Sequence, residues 1–390
     1  MQKRSKQNEG QAGHSEGEKQ SKFVPRIISW NMTFRCNLRC AHCYIDAESE
    51  PQRERRELST EEGKRLIEQI SEVSHPILVL SGGEPLLRKD IFILAEYANE
   101  RGLTVALGTN GTLISEEVAR RLRECGVKRV AISIDSISEE KHDAFRGVRG
   151  AWRKAVEGIN ACVNNDVEVQ INTTVTHQNY DEIERILNFA VDIGAVAMHL
   201  FFLVPTGRGK RIEDISAEMY ERMLNDVLEW SRHSEIEFRP VCAPQFMRIA
   251  IQKGMNVRKW TKGCIAGMYY CRIYPSGEVT PCPYLPINVG SVRERTFSEI
   301  WFGSEVLQAL RNPANLKGKC GVCEFRDVCG GCRARAYGLS SFVDVCGGLQ
   351  EPSSLSGDFL AEEPWCPYIP RKLREQSAMQ VSKGGKAEWC

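Results

Sequence analysis

Short apolar runs rich in β-branched residues alternate with amphipathic stretches from residue 26 to about residue 204. That alternation predicts repeated βα units and a parallel sheet. Six strands are expected, at 27–31, 77–80, 104–108, 129–134, 167–175 and 197–204. The last carries His199-Leu200-Phe201-Phe202-Leu203-Val204, a near-continuous apolar run of the kind found in strands covered on both faces. Ser59-Thr60-Glu61-Glu62 is a capping box ahead of Leu66, Ile67, Ile70 and Val73, and Asn179 with Glu182 forms a second ahead of Ile183, Ile186 and Leu187. Asp90 and Ser115 are expected to cap two more helices. A long amphipathic helix is expected over 212–232, its Met and aromatic stripe reading as core. After residue 235 the pattern changes. The divisions expected are a polar, disordered N-terminal tail (1–25), an α/β unit (26–235), a Pro-punctuated connector (236–262), a cysteine-rich unit of short elements (263–370) and a polar C-terminal tail (371–390).

Composition narrows the class of partner. A chain of 390 residues with a formal charge of +1 has room for a full α/β unit and a second domain, and offers no general field for nucleic acid or a membrane surface. No apolar run approaches the roughly twenty residues of a membrane-spanning helix, and the first residues have no leader pattern. Of the sixteen cysteines, the clustered ones are then expected to be metal ligands in a reducing cytoplasm.

Directly after the first strand comes Arg35-Cys36-Asn37-Leu38-Arg39-Cys40-Ala41-His42-Cys43-Tyr44. A [4Fe–4S] cluster takes four cysteines. Three thiolates would hold three irons and leave the fourth open to a small molecule. Zinc is a second reading, with His42 nearby as a ligand, and inert buried thiols a third. Ligands of parallel βα folds gather at the C-terminal ends of the strands. There the second strand gives Ser81-Gly82-Gly83-Glu84-Pro85, whose glycines let backbone approach a ligand while Pro85 stiffens the carboxylate-bearing turn. The third gives Thr109 and Asn110. The fourth gives Ser133, Asp135 and Ser136, the fifth Asn172 and Thr173, and the sixth a loop with Arg208. Phe145-Arg146-Gly147, with Arg149 close by, offers guanidinium groups to a carboxylate or is simply a solvated loop.

The cysteine-rich unit holds Cys264, a hairpin turning on Pro275-Ser276-Gly277, Cys282, the run Cys320-x2-Cys323-x5-Cys329-x2-Cys332, and then Cys346 and Cys366. Cys264, Cys282, Cys320, Cys323, Cys329, Cys332 and Cys366 are seven candidate ligands. They suffice for one complete cluster with three to spare, or for two clusters with one open site. Cys271 and Cys346 join them or are bystanders, and zinc-ribbon ligation is the alternative. Cys125, Cys162, Cys242 and Cys390 stand alone and read as core or tail.

Together the Cys-x3-Cys-x2-Cys loop, Gly82-Gly83-Glu84 forty residues on and the C-terminal cysteines resemble the radical S-adenosylmethionine (SAM) superfamily with a SPASM extension, over about residues 26–370. The resemblance implies an α/β fold in which six βα units form a partial (β/α)6 barrel, open on one side, with a C-terminal SPASM-like Fe–S domain. It implies a [4Fe–4S] cluster on Cys36, Cys40 and Cys43 whose open iron binds SAM, reductive cleavage to a 5′-deoxyadenosyl radical, and one or two auxiliary [4Fe–4S] clusters. His42 and Tyr44 flank the cluster. Gly82, Gly83 and Glu84 receive the SAM amino group, Ser133 and Asp135 its ribose, and Asn172 SAM or substrate. Two residues separate Cys329 from Cys332 where the family has three, which leaves the number of auxiliary clusters open.

Cys329-Gly-Gly-Cys-Arg-Ala-Arg-Ala-Tyr337 and the stretch ending Trp365-Cys366-Pro367-Tyr368 further resemble the haem-synthase branch that acts on tetrapyrroles. That resemblance implies oxidative decarboxylation of two propionates of iron-coproporphyrin III to vinyl groups. It also implies a ferredoxin- or flavodoxin-type electron donor and an electron acceptor. Arg146, Arg149 and Arg208 become candidates for the propionates, and His142, His177 and His199 for axial ligation of the iron. Another tetrapyrrole step such as didecarboxysirohaem side-chain removal, a peptide-modifying maturase and a non-catalytic Fe–S electron carrier remain open beside it.

Overall fold

The computed structural model describes residues 23–45, 47, 57–212, 214–257, 262–340 and 357–382. Most of the N-terminal tail, Cys346 and Cys390 lie outside them. Strands β1 (Ile27–Asn31), β2 (Ile77–Ser81), β3 (Thr104–Thr109), β4 (Arg129–Ser133), β5 (Glu168–Val175) and β6 (Ala197–Phe202) stand where the periodicity expects them. They pair in parallel in chain order, each followed by helical structure. Alternate residues (Ile28, Trp30, Leu78, Leu80, Val105, Leu107, Val130, Ile132, Val169, Ile171) are buried against the helices in one core.

Four further strands extend this sheet. β7 (Glu237–Val241) adds in parallel to β6, inside the expected connector, and the helix Gln245–Gln252 follows it. Its charged residues and Pro240 hide it from a search for apolar runs, yet an edge strand tolerates a proline. On the other side β8 (Tyr270–Ile273) pairs in parallel with β1, and β9 (Glu278–Thr280) and β10 (Gly290–Ser291) follow antiparallel. The order is β10-β9-β8-β1-β2-β3-β4-β5-β6-β7, an open sheet into which the cysteine-rich unit feeds its hairpin. The expected C-terminal tail contains the helix Arg371–Ser382, whose first amide donates to Glu324.

Ser59 and Glu62 form the expected capping box of the helix Thr60–Val73, and Ser115 caps Glu116–Glu124. Two expected caps fail because the side chains have other work. Asp90 pairs with the buried Arg88 at 2.6 Å, whose guanidinium also bonds the carbonyls of Met32 and Leu58. Asn179 donates to the carbonyls of Asp135 and Thr174, and Glu182 accepts from Ser136 and Lys141. That helix therefore starts at Ile183, after a 3-10 turn.

Gly63 sits in the helix over β1 because a Cβ there would stand 2.7 Å from the ring of fully buried Trp30. Helix propensity alone favours alanine at such a position by about 1 kcal/mol, but overpacking a core costs about 1–3 kcal/mol. Gly63→Ala is therefore expected to lower the midpoint of denaturant unfolding of the metal-free chain, and to raise it when Trp30 is already Leu. A stabilising effect in both backgrounds would contradict the packing described.

Candidate active site

The cysteine loop leaves β1 and is clamped from three sides. The amides of Gly83 and Glu84, at the end of β2, donate to the carbonyls of Thr33 and Arg35 (2.8 and 2.7 Å). A Cβ on Gly83 would lie 2.0 Å from the Arg35 oxygen. The second glycine thus admits the cysteine loop's own backbone, a closer and more specific need than the general approach to a ligand read from the sequence. On another side, the amides of Arg39 and Ala41 donate to the carbonyls of Arg146 and Phe145, at the end of the helix Glu139–Arg146. On the third, Arg208 donates from its own amide to the Cys43 carbonyl (3.0 Å) and from Nε to the Cys40 carbonyl (2.9 Å).

These contacts gather Cys36, Cys40 and Cys43, all half-buried, within reach of one another's charge. Burial pushes the Cys36 thiol up to about 12, with the Glu84 carboxylate adding to it. Arg146 opposes the same effect at Cys40, where its Nη1 lies 3.7 Å from Sγ. His42 stacks on Phe145 with ring centroids 4.6 Å apart, and burial with the neighbouring Arg146 holds its imidazole down to about 3. The Tyr44 hydroxyl donates to Asn31 Oδ1 (3.3 Å), and its ring meets Tyr284 edge-on at 5.4 Å.

Glu84 is fully buried, with Thr109 Oγ1 (2.7 Å), the Asn110 amide (2.9 Å) and the Leu86 amide (3.2 Å) donating to it. Burial outweighs those bonds and raises its carboxyl to about 7. Asp135, 3 % exposed, accepts from the Thr174 amide and forms an ion pair with Arg146, which holds it below the usual carboxylate range against the opposing effect of burial. Ser133, Asn172 and His199 stand side by side in strand register, with Gln170 bridging Asn172 and His199.

Several expected substrate-binding groups have structural duties. Arg146 and Arg208 hold the cysteine loop, so neither is the mouth cation expected; only Arg149 of the three is exposed. His142 is buried and accepts from the Asp135 amide, with burial lowering it to about 4, while His177 is exposed. Sequence reasoning missed the clamp because amide–carbonyl contacts across loops leave no periodic signal.

The second cysteine field divides in two. Cys320, Cys323, Cys329 and Cys366 line one open cavity together with Arg248, Lys319 and Arg326. Cys264, Cys282 and Cys332 form the other group, where burial and then the neighbouring thiols raise Cys282, and Cys242 lies among them. The short Gly330-Gly331 spacer makes the split. Both glycines take left-handed φ (72° and 61°), turning Cys329 toward one group and Cys332 toward the other within two residues. Cys271 is a bystander, fully buried in the core with β8. Cys125 and Cys162 are core residues as expected.

The thiols are gathered in three groups: Cys36, Cys40 and Cys43 at the first loop, Cys264, Cys282 and Cys332 in the middle, and Cys320, Cys323, Cys329 and Cys366 around the cavity. At the barrel triad, Asn31 Nδ2 and His42 Nδ1 are buried without a protein partner, leaving polar atoms for a ligand.

Comparison with known proteins agrees. Residues 30–190 match the model of the radical SAM superfamily, and 264–332 that of an iron–sulfur cluster-binding domain, SPASM. The AdoMet-dependent heme synthase of Methanosarcina barkeri is 43% identical over 361 residues, spanning 90% of this chain and 98% of that protein. The chain is a radical SAM enzyme. As a member it binds SAM and a [4Fe–4S] cluster in its radical SAM domain and auxiliary Fe–S in its SPASM domain. The Fe-coproporphyrin III synthase of the same organism is 33% identical, over 80% of this chain and 84% of that one. Among solved structures, Streptococcus suis SuiB bound to S-adenosylmethionine shares the fold (TM-score 0.67, 17% identity, 90% of this chain and 79% of that one).

Two outcomes follow from the geometry. Gly83→Ala must push the loop away from β2, so the variant is expected to retain markedly less barrel cluster after anaerobic reconstitution, read as iron and sulfide per chain; full retention contradicts the contact. Glu84, raised in the fold from 4.5 to about 7 by burial, contributes stability present below pH 4.5 and lost as pH rises to about 7. Denaturant unfolding of the metal-free chain should show that decline between pH 4.5 and 7, and Glu84→Gln should flatten it.

Proposed function

We propose that this enzyme makes haem by oxidatively decarboxylating two propionates of iron-coproporphyrin III to vinyl groups. The observation that carries this reading is the likeness to a heme synthase along nearly the whole length of both chains, ten percentage points above that to a second tetrapyrrole enzyme of the same organism. In this reading Cys36, Cys40 and Cys43 hold the barrel cluster, with His42 and Tyr44 packing its flanks. The buried Glu84 receives the SAM ammonium, a cation that would stabilise the charged carboxylate which burial alone disfavours. Gly82 and Gly83 admit the backbone there, Ser133 and Asp135 face the ribose, and Asn172 orients SAM or the macrocycle. When bound, the reduced cluster and SAM supply a carbon radical that takes one hydrogen atom from each propionate side chain, which then loses CO2 and one electron to become a vinyl.

A ferredoxin- or flavodoxin-type donor fits the low potential needed to start the reaction. The SPASM cysteines are suited to pass the released electron to an acceptor. Lys319, Arg326 and Arg248 around the outer group give that end of the molecule cations.

The test is anaerobic turnover of the reconstituted enzyme with SAM, a low-potential reductant and iron-coproporphyrin III. Haem formation with two 5′-deoxyadenosines and two CO2 per haem is expected, with both products lost in Cys36→Ala. SAM cleavage that ignores the porphyrin, with no mass change in it, would reject the substrate while leaving the enzyme class intact.

A further inference from the structure

Six arginines are buried among the described residues, and the protein itself answers five of them. Arg88, Arg146, Arg248 and Arg335 each pair with a carboxylate. Arg333 donates to the carbonyls of Gly331, Phe359 and Ala361. Arg272, in β8, is the exception. It is fully buried, no carboxylate among the described residues pairs with it, and its Nε and Nη2 have no hydrogen-bond partner. A charge taken out of water without a partner is costly. Arginine, unlike a buried lysine, does not relieve that cost by losing its proton.

The guanidinium is nevertheless held in place. Its Nη1 donates to the Pro283 carbonyl (3.1 Å), and its carbon lies 3.5 Å from the centre of the Tyr274 ring and 5.4 Å from that of Tyr44. Ring faces attract a cation but carry no net charge. These contacts therefore fix the guanidinium without neutralising it. They also set it beside the inner thiols, because Pro283 directly follows Cys282. Burial pushes the Cys282 thiol up, and the Arg272 charge opposes it. An iron–sulfur cluster bound by thiolates is net negative, and the charge around it is one of the levers that set its potential.

We propose that Arg272 is the counter-cation of the cluster held by the inner thiols, and that it favours the one-electron reduced form of that cluster. Arg272 touches no substrate; it acts through the cluster. An added electron makes the cluster more negative, so a fixed cation that water does not screen stabilises the reduced form more than the oxidised one and raises the potential. The proposal rests on the Fe–S reading of the SPASM domain and is independent of the substrate.

The experiment is an anaerobic redox titration of the reconstituted full chain, read by electron paramagnetic resonance, for the wild type, Arg272→Met and Arg272→Lys. Methionine removes the charge and keeps an unbranched apolar stem, whereas lysine keeps the charge and loses the fork. Adding SAM to the reduced protein marks the barrel cluster, whose open iron binds it, so that the signals SAM leaves unchanged are auxiliary. Arg272→Met is expected to lower the midpoint of one such auxiliary signal with iron per chain unchanged, and Arg272→Lys to restore most of the difference. A merely structural arginine would move no potential. The metal-free chain gives a second measurement. There the charge is uncompensated, so Arg272→Met should raise the midpoint of denaturant unfolding, whereas loss of a merely structural group would lower it. That unfolding comparison decides if the methionine variant takes up less auxiliary iron. Wild-type midpoints in a fully loaded Arg272→Met, a shift confined to the SAM-sensitive signal, or an iron-poor variant whose metal-free chain is less stable would each overturn the assignment. None of these readouts involves a tetrapyrrole, so failure here is separable from failure of the haem reading.

Discussion

Residues 33–45 cross the mouth of the barrel without helix or strand, so their amides and carbonyls must be satisfied from outside the loop. The end of β2, the end of the helix Glu139–Arg146 and the segment around Arg208 supply the partners. Each of these follows a different strand of one parallel sheet. The positions of Cys36, Cys40 and Cys43 are therefore set by strand register more than by the loop's own sequence. A sheet whose C-terminal ends are rigid gives the thiols a rigid separation, and separation decides whether they suit a cubane or a single ion.

Two buried guanidinium–carboxylate pairs repeat this logic with charge. Arg146 pairs with Asp135 beside Cys40, and Arg335 pairs with Glu363 beside Cys242 and Cys332. Pairs of this kind are poor sources of net stability, because desolvation offsets most of the attraction. Their value here lies in direction. A guanidinium has five donors in a fixed fork, so one group can hold a carboxylate and still present hydrogens to a cysteine sulfur or carbonyl. Burying the pair makes the alternatives expensive and the geometry single.

What the sequence revealed follows the range of each signal. Strands β1 to β6 were legible because apolar runs are local, and the Cys36–Cys43 triad because its spacing is covalent. β7 was hidden by Glu237, Arg239 and Pro240, which an edge strand accepts and a pattern search rejects. Asn179 and Asp90 carry the residue types of helix caps but bond elsewhere, since a buried backbone carbonyl or guanidinium nearby competes more strongly than a helix amide. Cys242 was opaque for the same reason as the loop clamp: its neighbours lie 22 residues and more away in sequence, and only folding joins them. Gly330 and Gly331 looked like a departure from the family's spacing. Their left-handed backbones account for it, since a shorter spacer can still send adjacent cysteines in opposite directions.

The pairing of β8 with β1 ties these parts together. β1 delivers the barrel triad, and β8 opens the hairpin that delivers Cys282, so both cysteine fields hang from neighbouring strands and cannot drift apart. Between them Tyr44, next to Cys43, meets Tyr284, which lies close to Cys242 and Cys282. Beyond that group, Glu363 accepts from the Cys332 amide while its own amide donates to Cys320 Sγ at 3.4 Å, reaching the outer four. The three thiol groups are thus consecutive, from the barrel mouth through a buried middle to an open cavity edged by Arg248, Lys319 and Arg326. The sheet thus fixes the three groups in that order, with the cavity edged by Arg248, Lys319 and Arg326 at the end opposite the triad.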